Sequence, residues 1–368
     1  MVFISHLMLF TILSCSLVSL AAIFLLRPLA TRLGLVDVPG GRKRHDGHVP
    51  LIGGIGIFAA LLIGVGLAPG EDRALWLLAA CGLLVAVGVV DDRFDVRARV
   101  RLVVHLAAAA VAVWLVDASD ALTLGRAFGT PQPLTLFGTW ATVVGIVLVG
   151  GVINAFNMAD GMDGLAGTLA MVAFLSMGVL AAAAADGTLL QVCIAMCGAI
   201  SGFLAFNLPL RRTRRWRVFL GDAGSILLGF VAAYVGFGLS QGADARVAPV
   251  TVLWLAAVPV ADLLITMSRR ALQKRSPFRP DRGHFHHQLL DAGLTPPAAL
   301  GLMTMAAVAL AAAGLWMHWQ RVSEATQLVG FLATAAVMAW AAARAPRWVH
   351  WTPVAWRRDS LVRTIPSP

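Results

Sequence analysis

The sequence predicts an all-α, polytopic integral membrane protein, and three observations predict it. Of the 368 residues 59% are hydrophobic and only 13% are charged. Mean hydropathy is +0.80. The apolar residues also gather in long runs separated by short polar connections. A soluble globular domain has roughly 45–50% apolar and 25% charged residues, which excludes that class. At roughly 20 residues per span, the apolar content suffices for about eleven transmembrane helices, with ten as the alternative.

The first run, 3–26, has no basic segment before it and is followed by Arg27, which reads as a retained span rather than a cleaved leader. Further runs lie at 51–68, 73–90, 100–116, 134–153, 164–185, 188–208, 219–240, 247–268, 297–317 and 326–343. Gly151, Pro209, Gly221 and Pro259 mark places where helices end or kink. Residues 1–343 thus form one transmembrane domain with loops near 27–50, 91–99, 154–163, 209–222 and 269–296. The remainder, 344–368, is a basic and aromatic tail whose Trp348, Trp351 and Trp356 suggest an interfacial helix. No internal repeat is visible. Cys15, Cys81, Cys193 and Cys197 all fall inside apolar runs and read as small buried residues, not as a disulfide or zinc framework.

Charge orients the bundle. There are 29 Lys and Arg against 19 Asp and Glu, a net charge of +10. In a soluble protein that excess would suggest nucleic acid as a partner. Here all the cations except Arg73, Arg126, Arg246 and Arg321 lie in alternate connections and the tail. Basic loops stay in the cytoplasm, so the amino end is expected outside and the carboxyl end inside, with no role for nucleic acid.

The reactive residue types collect on that same basic side. The first loop, D-V-P-G-G-R-K-R-H-D-G-H-V-P-L-I-G-G from Asp37 to Gly54, packs Arg42, Lys43 and His45 among glycines and prolines. Backbone amides freed by glycine, with cations beside them, suit a phosphate. Asp91 and Asp92 follow the run ending at Val90. Juxtamembrane carboxylates are functional candidates, although a salt-bridge cluster with Arg93, Arg97 and Arg99 is the alternative. The segment N-A-F-N-M-A-D-G-M-D-G, from Asn154 to Gly164, has no Lys or Arg and spaces Asn154, Asn157, Asp160 and Asp163 three apart. Such a row of oxygens suits a hard cation or polar nucleoside groups. Asp222 lies between Gly221 and Gly224 at the start of the eighth run, as a helix N-cap or a metal ligand. The last loop holds S-P-F-R-P-D-R-G-H-F-H-H, with Arg282, His284, His286 and His287. The nearby cations and the lack of Cys favour an anionic ligand over zinc. Asp262, inside the ninth run, reads as an internal salt-bridge partner outside the site.

The ordered set R-K-x-H-x-G-x-V-P-x-x-G-G, D-D-R, N-x-x-N-x-x-D-G-x-D-G-L, G-D-x-G-S and P-D-R-x-H-x-H-H spans about 37–290. It resembles the polyprenyl-phosphate N-acetylhexosamine-1-phosphate transferases (glycosyltransferase family 4), in their WecA-type branch. The resemblance implies transfer of an N-acetylhexosamine 1-phosphate from a UDP-N-acetyl sugar to undecaprenyl phosphate, with Mg2+ or Mn2+ and release of UMP; N-acetylglucosamine is the favoured sugar, with another UDP-N-acetyl sugar as the alternative. It places the protein in the bacterial cytoplasmic (inner) membrane, at the start of a cell-surface glycan such as O-antigen lipopolysaccharide. Membrane lipid is then a partner, and a homodimer is left open. The muramoyl-pentapeptide branch is disfavoured: the first loop reads H-V-P-L-I-G-G without a threonine, and no Glu follows the His cluster.

Residue by residue, the resemblance implies Asp222 and Asn157 as metal ligands. Asp91, Asp92 and Asp160 would be catalytic, and Asp163 and Asn154 would lie near nucleotide and sugar. Arg42, Lys43, His45, Arg282, His284, His286 and His287 would hold phosphates. A phosphomonoester is largely dianionic at pH 7, so an Asp base would gain little from removing its proton. Single displacement is therefore expected ahead of a covalent aspartyl intermediate. Two other classes compete: a secondary transporter, which would place polar residues at mid-membrane, and a non-catalytic nucleotide-sugar receptor, which would not need the Asp91–Asp92 pair.

Overall fold

A chain in hydrocarbon must satisfy its backbone N–H and C=O groups internally, and each apolar run of the sequence accordingly becomes helical. The computed structural model describes residues 2–37, 48–66, 72–209, 216–242, 245–274, 283–353 and 356. The long helices are α1 (Val2–Leu33), α2 (Gly53–Gly66), α3 (Asp72–Phe94), α4 (Ala98–Leu115), α5 (Thr139–Ala159), α6 (Leu165–Ala183), α7 (Gly187–Asn207) and α8 (Gly221–Ser240). They are followed by α9 (Pro249–Leu255), α10 (Ala257–Leu272), α11 (Phe285–Asp291), α12 (Pro296–Trp319), α13 (Glu324–Ala343) and α14 (Ala345–Trp348). Among the described residues 8 helices are long and apolar enough to cross a membrane, or up to 9 if one bent pair counts as a single span. The α2 helix, with 14 residues, is short for a span.

The expectations need three corrections. The run at 247–268 is not one rod: α9 and α10 meet at a bend of 97°. Several helices outlast their apolar runs, among them α1 to Leu33, α3 to Phe94, α5 to Ala159 and α10 to Leu272. Asp91, Asp92, Asn154 and Asn157 are therefore helical residues, not loop residues. Polar side chains end a helix only where their backbone has a better partner, and here Asp95 N–H still bonds the Asp91 carbonyl. Two short antiparallel ribbons, β1 (Val36–Asp37) with β2 (Val49–Pro50) and β3 (Ala121–Thr123) with β4 (Thr135–Phe137), join helices without changing the all-α class. In the tail, the described residues form only α14 and a single 3-10 turn, Val349–Trp351, tied to the bundle by Thr295 N–H bonding the Trp356 carbonyl at 2.7 Å.

The most enclosed helix is α8, whose buried residues include Phe230, Val231 and Tyr234. Outer helices leave Phe10, Leu17, Trp76, Val103, Val147 and Val337 exposed, an apolar belt that suits lipid. The start of α8 is joined to the first loop: Gly53 N–H and Gly54 N–H bond the carbonyls of Phe219 and Leu220, each at 3.0 Å. This seam needs glycine on both sides, because a Cβ on Gly54 would lie 2.3 Å from the Gly224 nitrogen. The far end of α8, about 30 Å away, faces a cavity of about 960 Å³ lined by Arg126, Arg246, Arg321, Glu324 and His318. Three of the four cations set apart by the charge pattern therefore lie together, opposite the acidic end. The cysteines are free and buried, as expected.

Candidate active site

Asp91 ends α3 by turning the chain. Its Oδ1 accepts from Val96 N–H at 2.8 Å and its Oδ2 from Arg101 Nη1 at 2.7 Å. The same Arg101 Nη1 lies 3.6 Å from Asp222 Oδ2, so one guanidinium bridges α3 and α8. The neighbouring carboxylate caps a helix other than its own. Asp92 Oδ1 accepts from Asp222 N–H at 2.9 Å and Oδ2 from Ala223 N–H at 3.4 Å. Leu220, at the N-cap position of α8, has no side-chain acceptor to offer, and Asp92 fills that role from α3.

Asp222 is thereby relieved of capping, and the N-cap reading of this residue does not hold. Gly221 makes the arrangement possible. Its φ is +75° and a Cβ there would sit 2.5 Å from Asp92 Oδ2, so both backbone and space demand glycine.

From α5, Asn157 Nδ2 donates to Asp222 Oδ1 at 2.8 Å and to Ser225 Oγ at 2.9 Å. Asp160 is the C-cap residue of α5. Burial pushes its carboxyl well above the usual carboxylate range, and the nearby charges of Asp222, Asp92 and Asp163 push the same way. The structure thus brings Asp91, Asp92, Asn157, Asp160 and Asp222 together. Asn154, one turn before Asn157 on α5, directs its Nδ2 at Met158 Sδ 3.1 Å away. Asp163 pairs with Arg217, which packs over the Phe219 ring at 4.8 Å.

The histidines meet the turn that follows Asp160. His286 is 1% exposed, and neither ring nitrogen has a hydrogen-bond partner among the described residues. Its Nε2 fills the notch of the D-G-M-D-G turn: a Cβ on Gly161 would lie 2.1 Å from it. Burial, followed by the charge of His287, pushes the His286 pKa down to about 3. The His284 and His286 rings are nearly parallel, with centroids 6.0 Å apart, and His287 is 4.1 Å from His286. Arg42, Lys43, His45 and Arg282 lie outside the described residues.

Sequence reading missed several supporting side chains. Asn207 holds the D-G-M-D-G turn, its Oδ1 accepting from Gly164 N–H at 2.7 Å while its Nδ2 donates to the Val218 carbonyl at 2.8 Å. Arg101 and Arg217 were read only as orienting charges. Asp262 was set aside, yet its Oδ2 is 2.9 Å from His284 Nδ1. A lone carboxylate in an apolar run was the available signal for it.

Comparison with known proteins adds an independent line. A model of glycosyl transferase family 4 matches residues 74–239, which contain every carboxylate of the centre but not the histidines. The undecaprenyl-phosphate alpha-N-acetylglucosaminyl 1-phosphate transferase of Yersinia pestis is 42% identical over 300 residues, 81% of this chain and 81% of that protein. Its namesakes in Salmonella typhi and Escherichia coli strain K12 are 40% and 38% identical over 320 residues, 84% of either chain in each case. Likeness of that depth and length, reaching across the residues that α3, α5 and α8 bring together, means that the chain belongs to glycosyl transferase family 4.

Proposed function

We infer that this protein transfers N-acetylglucosamine 1-phosphate to undecaprenyl phosphate, taking it from UDP-N-acetylglucosamine and releasing UMP. One observation carries the reading: Asp91, Asp92, Asn157 and Asp222 converge at helix ends in a chain 42% identical to a transferase of that name. The setting suits the substrates, since a lipid phosphate arrives through the bilayer and a nucleotide sugar from water. The charge pattern supports the cytoplasmic face of a bacterial inner membrane. A transporter would want its polar residues at mid-membrane, whereas these sit where α3 and α5 end and α8 begins.

A hard divalent cation, Mg2+ or Mn2+, fits the donor set. Asp222 supplies carboxylate oxygen and Asn157 lies against it, amid the further carboxylates Asp92 and Asp160. Among the described residues no three His, Cys, Asp or Glu side chains form a complete metal cage. Mg2+ draws on one or two carboxylates and completes its shell with substrate phosphates and water. When bound, such an ion would neutralise charge on the pyrophosphate and orient it.

The chain's own residues do the rest. Phosphoryl transfer is mainly positioning and charge stabilisation, and the residues here are held for both. Both oxygens of Asp91 and both of Asp92 already accept hydrogen bonds. A covalent aspartyl intermediate on either would break the helix cap or the Arg101 bridge, so in a single displacement the pair acts by fixing Arg101 and the start of α8 beside the lipid phosphate. Asp160, with its raised proton affinity, is the carboxyl suited to hold a proton near the reacting groups. The histidines and the basic loops take the phosphates, and Asp163 with Asn154 the uridine and sugar.

The test is UMP release by purified protein given undecaprenyl phosphate, Mg2+ and a panel of UDP-sugars. Release is expected with UDP-N-acetylglucosamine and should fall about 100- to 1000-fold in Asp222→Ala, the usual cost of removing a group that stabilises transition-state charge. A wild-type protein that releases no UMP from any of them would overturn the reading.

A further inference from the structure

The turn that carries the histidines hangs from α10, the helix beyond the 97° bend. Asp262, 6% exposed, meets this turn with both oxygens: Oδ1 accepts from Phe285 N–H at 2.9 Å and Oδ2 from His284 Nδ1 at 2.9 Å. Seven residues further along the same helix face, Arg269 Nη1 donates to the Gly283 carbonyl at 2.7 Å. Gln288 Nε2 donates to that carbonyl as well, at 2.7 Å. Carbonyl, amide and imidazole of three consecutive residues are thus each fixed, two of them by Asp262. A carboxylate inside an apolar helix is costly unless it is engaged for a purpose. A mere structural pair would need only one of these contacts.

We propose that Asp262 is the positioning residue of the histidine arm. It fixes the His284 ring with Nδ1–H toward α10, so that Nε2 is left as an acceptor toward the substrate phosphates, for the proton of a water or hydroxyl there, and through the 284–286 turn it seats His286 over Gly161. An ionised carboxylate can only accept, so the Nδ1 proton is set by this contact. A carboxylate behind a functional imidazole fixes the ring's tautomer and direction in the same way elsewhere. The inference rests on the transferase reading above and adds to it a residue that touches no substrate.

The test compares Asp262→Asn, His284→Ala and the double variant in detergent, following UMP release from UDP-N-acetylglucosamine. The Asn side chain keeps an acceptor for Phe285 N–H but turns an amide toward His284, so the fold is retained while the tautomer is not. Asp262→Asn is expected to lose about 10- to 100-fold in kcat, the loss typical when the partner of a functional histidine is removed. KM for undecaprenyl phosphate is expected to stay within about twofold, and the double variant to be no slower than His284→Ala alone. Full multiplication of the two losses would overturn the proposal, as would wild-type kcat in Asp262→Asn. So would failure to recover Asp262→Asn folded, by size-exclusion profile and thermal unfolding, since that would make Asp262 structural only. An inactive wild type would instead sink the transferase reading, which keeps the two failures distinct.

Discussion

Around Asp222 the acidic oxygens are engaged: Asp91 by Arg101 and a backbone amide, Asp92 by two amides of α8, Asp222 by Asn157 and Arg101. Around His286, a few residues of packing away, neither ring nitrogen is satisfied. The carboxylate centre is borne on three long helices and bound by charge-assisted contacts. The histidine arm is borne on a seven-residue helix, suspended from Asp262 and Arg269. An engaged centre keeps its shape before substrate arrives, while a buried, unsatisfied imidazole is a cost that a phosphate can repay on binding. The two regions touch at Gly161, and each can be broken separately.

The largest stability effect is expected in the centre. Asp91 has a side chain only 2% exposed, and Arg101 is its ionic partner. Arg101→Met leaves that carboxylate buried without its cation, which should cost about 3 kcal/mol. Unfolding followed by tryptophan fluorescence in detergent would measure it, and Asp91→Asn in the same background should restore much of the loss. If Arg101→Met were as stable as wild type, the centre would not be held by pairing, and the contrast with the histidine arm would disappear.

The contact between the regions comes next. Gly161 has no positive φ among the glycines that do, so its need for glycine is one of space: a Cβ would lie 2.1 Å from His286 Nε2. Gly161→Ala should cost about 1–3 kcal/mol by overpacking and lower UMP release as the arm is pushed off the turn. Adding His286→Ala should return the stability but not the activity. Equal instability of the single and double variants would show that the Ala methyl meets something other than the ring.

How far each region could be read from the sequence follows from how each is built. The eleven apolar runs and the acidic row at 154–163 announce themselves by composition and local spacing. The spacing showed which residues matter without showing how they pair. Asp92 and Asp222 are 130 residues apart, and nothing in D-D-R or G-D-A-G-S states that one caps the helix of the other. Gly221 was visible as a place where a helix ends or kinks, and the reason it must be glycine is the approach of Asp92. The bend at Ala256 falls within one continuous apolar run, where hydropathy cannot distinguish a rod from two arms; Pro259 marked a break there without showing its size. Asp262 reads from sequence as an internal pair because its partners, His284 and Phe285, follow 22 and 23 residues later across a loop whose return hydropathy does not show.

The smallest effect is a pH dependence of stability carried by His286. Its pKa is about 3 in the folded protein, against roughly 6.5 for an unfolded histidine. Above pH 6.5 the ring is neutral in both states and makes no difference. As pH falls below 6.5 the unfolded chain takes up a proton that the folded chain refuses, so stability is lost progressively toward pH 3. Asp160, with its raised proton affinity, works in the opposite sense and gains stability as pH falls, so wild type alone does not isolate either group. The difference between wild type and His286→Gln does, because the amide does not titrate. Unfolding temperature should drop from pH 7.5 to pH 5.0 by more in wild type than in His286→Gln. Parallel curves would mean that the folded ring takes up its proton as readily as the unfolded one, and that the arm is as well engaged as the carboxylate centre.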